Sequence, residues 1–114
     1  MPHFTLECSP NIINKKSPQE LLDLIYQTAL KTDLFIPNEI KVRLKTYEYF
    51  NNGNSQEDFI HIFGHIMQGR TAEQKKTLSS KIINCLETEF PEVPILSMNV
   101  QDFEKASYSN KSKS

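Results

Sequence analysis

HFTLECSPNIINKKSPQELLDLIYQTAL, residues 3–30, changes its hydrophobic period partway along, and that change decides the fold. From His3 to Cys8 the apolar Phe4, Leu6 and Cys8 alternate with His3, Thr5 and Glu7, the period of a strand with one buried face. Ser17 then precedes Pro18 and stands three residues before Glu20. An N-cap, a proline at the first helical position and a capping box coincide, so a helix begins there. Its residues Leu21, Leu22, Leu24, Ile25, Ala29 and Leu30 form one apolar stripe, with Asp23, Gln27 and Lys31 on the wet side.

The same alternation of periods recurs downstream. Pro37 bars the helix from continuing. Ile40, Val42 and Leu44 alternate with Lys41, Arg43 and Lys45, which predicts a second strand running on through Tyr47 and Tyr49 to about Phe50. Asn51-Asn52-Gly53-Asn54 tolerates positive φ and turns the chain, as in a hairpin. Phe59 to Met67 predicts a third strand, with Ile60, Ile62 and Ile66 on one face and Phe59, His61, Phe63 and His65 on the other; Gly64 weakens it locally. Thr71 and Gln74 repeat the capping-box spacing, and Leu78, Ile82, Leu86 and Phe90 recur every four residues until Pro91 stops the second helix. A last strand runs from Val93 to about Phe103, with Leu96, Met98 and Val100 sharing a face.

The expected fold is therefore α/β, or α+β by stricter naming: two β-α-β units forming one four-stranded sheet with both helices on one face. A single domain over residues 1–106 is expected, since 114 residues cannot bury two cores. The Ser/Lys-rich residues 107–114 are expected to be a disordered tail. Helices on one face leave the other face of the sheet bare. A surface carrying Phe and His side chains invites self-association.

Thirteen basic against fourteen acidic residues, a formal charge of −1, argue against a general nucleic-acid surface or a polybasic membrane patch. No apolar run approaches the roughly 20 residues that span a bilayer, and the start is unlike a signal peptide. Cys8 and Cys85 have neither CxxC nor Cys/His metal spacing, so no metal and no disulfide framework is expected, and both read as small core residues of a reduced, cytoplasmic protein.

The opening Met1-Pro2-His3-Phe4-Thr5-Leu6-Glu7-Cys8-Ser9-Pro10-Asn11-Ile12 resembles the start of the 5-carboxymethyl-2-hydroxymuconate isomerases, a branch of the tautomerase superfamily. Gly69-Arg70-Thr71-Ala72-Glu73-Gln74-Lys75 resembles the strand-to-helix segment of that superfamily, and His61 falls where the isomerases usually have histidine. The tail after Ser107 has no counterpart in this resemblance. What the resemblance implies is a cofactor-free homotrimer, its sheets packed around a central axis, that isomerises an unsaturated carboxylate with an N-terminal proline as general acid and base.

Pro2 is the residue this chemistry needs. Once Met1 is removed, its nitrogen is a secondary amine, a base that an internal proline amide cannot supply. In a pocket of low polarity beside cations its charged form is disfavoured, which brings the amine toward the neutral state that accepts a proton. Arg70, before the second helix, is suited to bidentate pairing with a substrate carboxylate. Lys41 lies where these isomerases often carry a substrate-binding arginine, so a point charge replaces a planar fork. Arg43 alternates onto the same face and matches a basic position of the family, with a solvated or interface-pairing role as the competing reading. His61 and His65 read as inner-face or trimer-contact residues, with proton transfer as the competing reading, and Tyr47, Tyr49 and Phe50 as packing or as a dry wall for the pocket. A tautomerase of another enol or unsaturated acid, or a trimeric binding protein with a blocked N-terminus, are the readings that compete with the isomerase.

Overall fold

The computed structural model describes residues 1–111 of the chain. Among the described residues, four strands and three α-helices occur in the order β1 (His3–Cys8), α1 (Ile12–Lys15), α2 (Pro18–Leu30), β2 (Lys41–Thr46), β3 (Phe59–Met67), α3 (Ala72–Glu89) and β4 (Ile95–Phe103), with short 3-10 turns at Pro37–Glu39 and Lys105–Ser107. The two capping boxes form as their spacing requires. Ser17 accepts from the Glu20 amide and Thr71 from the Gln74 amide, while each third-position side chain returns a bond to its cap residue's N–H.

The sheet order is β2-β1-β3-β4. β1 pairs parallel with β2, β3 parallel with β4, and the two units join where β1 meets β3 antiparallel. The turn at Asn51–Asn54 therefore joins two strands that do not pair. Gly53 and Asn54 do adopt positive φ, of 61° and 69°, but β1 lies between β2 and β3, so the expected hairpin is corrected to a connection passing the end of the central strand.

Strand boundaries follow partners. β2 ends at Thr46, opposite Cys8, because β1 ends there and the edge strand has no other neighbour. The expected extension to Phe50 thus falls away. β4 starts at Ile95, opposite Phe59, after Pro94, which has no N–H for the ladder. The single turn α1 escaped the sequence reading because four residues are too short to show a helical period; its Ile12 is buried in the core.

Leu21, Ile25 and Ala29 of α2 and Leu78, Ile82 and Leu86 of α3 share one core with Phe4, Leu6, Cys8, Ile60, Ile62 and Ile66. Both helices thus cover the same face. Gly64 takes its place in that buried series because Phe4 and Met98 occupy the space a side chain would need, with Met98 Cε 3.0 Å from an added Cβ. Cys8 is fully buried, and burial, with Asp58 adding to it, pushes its thiol up to about 11. Cys85 is only half-buried and accepts from Thr28 Oγ1 at 3.4 Å, so it belongs to the contact between helices rather than to the core.

The opposite face carries His3, Arg43, His61, Phe63 and His65, and no helix of the described residues covers it. His61 and His65 are tied to β4 by bonds to Ser97 Oγ (2.6 Å) and Gln101 Oε1 (2.9 Å). Phe63 is 37% exposed there. The disorder expected for residues 107–114 falls partly on 112–114, outside the described residues. It does not describe Tyr108, whose ring lies 4.8 Å from that of Phe103 and whose hydroxyl meets His3.

Candidate active site

The start of β1 brings the chain's amino end to the sheet. Pro2 is buried, and its carbonyl accepts from the Lys41 amide at 3.0 Å, the first bond between the two parallel strands. Met1 lies half-buried above it, its amino group 3.7 Å from Glu39 Oε1. Three cavities meet at Met1. One of about 290 Å³ is also lined by Glu39, Met67, Lys105 and Tyr108. A second, of about 790 Å³, includes His3, Lys41, Phe103 and Tyr108. The third, of about 210 Å³, includes Phe35, Met67 and Arg70. The residue whose removal would free the Pro2 nitrogen is thus a shared wall of all three.

Lys41 and Arg70 both reach this region, from the start of β2 and from the turn between β3 and α3. The Arg70 guanidinium donates through Nη2 to the Leu34 carbonyl oxygen, which holds the arginine toward the α2–β2 loop. Arg43 lines none of the three cavities. Its Nη2 lies 3.0 Å from Nδ1 of His3, on the bare face. Tyr47, Tyr49 and Phe50 stand at the far end of β1: Tyr47 is anchored by its amide to the Cys8 carbonyl and by its hydroxyl to Glu7, and Tyr49 is 89% exposed. They do not meet Pro2 within one chain.

Sequence reasoning missed His3, Glu39 and Tyr108. His3 adjoins Pro2 and could have been singled out by its place alone; Tyr108 is a lone aromatic in a polar tail and carried no periodic signal. Partial burial, then the charges of Arg43 and Lys41, the chain terminus and His65, hold the His3 imidazole below its ordinary pKa. Among the described residues no three His, Cys, Asp or Glu side chains converge as a metal site, and no helix is long and apolar enough to cross a membrane.

Comparison with known proteins places this arrangement in context. The family model described as 5-carboxymethyl-2-hydroxymuconate isomerase matches residues 2–113, running through the tail for which the sequence resemblance offered no counterpart. A 5-carboxymethyl-2-hydroxymuconate Delta-isomerase of Escherichia coli is 26% identical over 92 residues, covering 79% of this chain and 73% of that protein. The crystal structure of a 5-carboxymethyl-2-hydroxymuconate isomerase from Deinococcus radiodurans R1 superposes with a TM-score of 0.83 at 26% identity, covering 96% of this chain and 88% of the other. A fused 4-OT protein described as a symmetric trimer shares the fold, with a TM-score of 0.77 at 12% identity over 98% of this chain and 94% of its own.

Proposed function

This chain belongs to the family of 5-carboxymethyl-2-hydroxymuconate isomerases, and we propose that it ketonises that dienol, with Pro2 as general acid and base once Met1 is removed. The enol oxygen gives up its proton and a distant carbon of the conjugated system gains one, so the product is an isomeric unsaturated ketone. Nothing is oxidised or reduced, and the step needs no cofactor.

The observation that carries this reading is the position of Met1 as the common wall of three cavities, two of them lined by the cations Lys41 and Arg70. Without Met1 the Pro2 amine stands where those cavities meet. A substrate with several carboxylates would be gripped by the two cations while its conjugated carbons face the amine. The positive charges of Lys41 and Arg70 favour the neutral amine, the form that takes a proton, while the Glu39 carboxylate beside the amino end opposes them. Arg43 supports the site through His3 rather than by reaching the cavities. The bare sheet face is covered, on this reading, by two further copies in a cytoplasmic homotrimer.

Lys41 favours a second reading within the same chemistry. A flexible ammonium grips a carboxylate less selectively than a guanidinium fork, which suits a simpler enol such as phenylenolpyruvate. Intact mass of the protein from its native host, combined with ketonisation assays on both enols, tests the proposal. Loss of Met1 with turnover of the tricarboxylate is the expected result. Met1 retained throughout, with neither enol consumed, would overturn it in favour of a binding protein.

A further inference from the structure

Three side chains from the two ends of the chain and an edge strand make a directed series: Arg43 Nη2 to His3 Nδ1 at 3.0 Å, and His3 Nε2 to the Tyr108 hydroxyl at 3.2 Å. A guanidinium only donates, so Nδ1 of His3 must accept. A neutral imidazole has one proton, and it therefore sits on Nε2. That N–H points at the Tyr108 oxygen, which is thereby fixed as acceptor. The hydroxyl proton of Tyr108 is left to be donated elsewhere.

Tyr108 lines both of the larger cavities that Met1 also lines, and shares one with Lys41. Its ring is held against Phe103, at 4.8 Å between centroids, and Phe103 in turn lies 5.4 Å from His3. The hydroxyl is thus oriented by packing as well as by the imidazole. The cavities beside the amino end, which Tyr108 lines, are where a partner for that proton would bind.

We propose that Tyr108 is a substrate-binding residue of this site, its hydroxyl donating to a carboxylate or enol oxygen of the bound substrate, with His3 and Arg43 as positioning residues that fix the direction of the donation. The proposal deepens the isomerase reading and rests on it, because it needs an anionic, oxygen-bearing substrate beside Pro2. An enolate oxygen or carboxylate accepting this bond gains a donor whose orientation is set before binding, which costs less ordering than a free lysine does.

Tyr108→Phe tests it with little structural disturbance, since the ring and its contact with Phe103 remain. On the trimeric protein with Met1 removed, kcat/KM for whichever of 5-carboxymethyl-2-hydroxymuconate and phenylenolpyruvate the wild type ketonises should fall roughly tenfold, the scale of one hydrogen bond to a charged oxygen. Long-range ¹⁵N NMR of the imidazoles, with His3 assigned through His3→Gln, should show the Nε2–H tautomer at neutral pH. Arg43→Gln should lower kcat/KM and mix the His3 tautomers while leaving the circular dichroism unchanged. A Tyr108→Phe protein of wild-type efficiency, or a His3 carrying its proton on Nδ1, overturns the proposal alone and leaves the Pro2 reading standing. A processed wild type that consumes neither enol overturns both.

Discussion

The Lys41 amide donates to the carbonyl oxygen of Pro2 across 3.0 Å, so the residue proposed as the base and a residue proposed to hold substrate are joined through their backbones. That bond fixes the Pro2 carbonyl while leaving its nitrogen to be defined by whether Met1 is present. Parallel pairing of β1 with β2 then sets every basic side chain of the edge strand against a β1 neighbour, Lys41 beside His3, Arg43 beside Thr5 and Lys45 beside Glu7.

The amine should govern the acidic limb of activity. kcat/KM is expected to rise with pH and level off as Pro2 deprotonates. Pro2→Ala leaves a primary amine after processing and should retain some turnover with a displaced profile, whereas complete acetylation of the N-terminus should remove nearly all of it. Unchanged turnover after acetylation, verified by mass, excludes the base assignment.

Arg70 and Lys41 should differ when removed. Losing one charge-assisted hydrogen bond costs ~1.5 to 3 kcal/mol, and ~1.4 kcal/mol is tenfold in rate. Arg70→Ala should therefore lower kcat/KM roughly 10- to 100-fold on any accepted substrate. Lys41→Ala should penalise 5-carboxymethyl-2-hydroxymuconate more than phenylenolpyruvate, which has one carboxylate. Equal losses on the two substrates would take the selectivity role from Lys41, and wild-type efficiency in Arg70→Ala would take Arg70 out of the site.

Assembly should depend on the bare face. Phe63 is 37% exposed there, and the protein is expected to behave in light scattering as three copies of the 13.2 kDa chain. Phe63→Glu would bring like charges together at a shared face and should release monomers with a preserved far-ultraviolet spectrum. A wild-type monomer that is fully active contradicts the assembly argument.

His3 should make stability fall on mild acidification. Its folded pKa lies below the ordinary 6.5, first through partial burial and then through Arg43, Lys41, the chain terminus and His65 facing it; the rings of Phe103 and Tyr108 complete its surroundings. Above 6.5 the imidazole is neutral in both states and its contribution is fully present. As pH drops from there through the folded value, the unfolded chain takes up the proton first, and the contribution is lost. The advantage of wild type over His3→Gln in urea midpoint should shrink across that window; a constant difference would show that His3 does not titrate differently on folding.

The four strands, the two long helices and the points where those helices start were legible in the sequence because their causes are local, whereas the single turn α1 and the start of β4 at Ile95 were not. Period two in residues 3–8 and 59–67, and the capping boxes at Ser17 and Thr71, act within a few residues of chain, and the structure reproduces them. Pro2 and Arg70 are proposed for the site on the strength of the motifs that surround them, and the structure brings Arg70 to a cavity beside the amino end. Strand order was not: the Asn51–Asn54 turn has the chemistry of a hairpin, yet which strand lies beside β3 is decided by how the two units bury their apolar faces on one core, and that places β1 between them. Nor was the meeting of His3 with Tyr108, 105 residues apart. No period or cap records such a pair, because the contact arises only after the sheet brings β4 across to β3 and the chain beyond Phe103 folds back over the strand where it began.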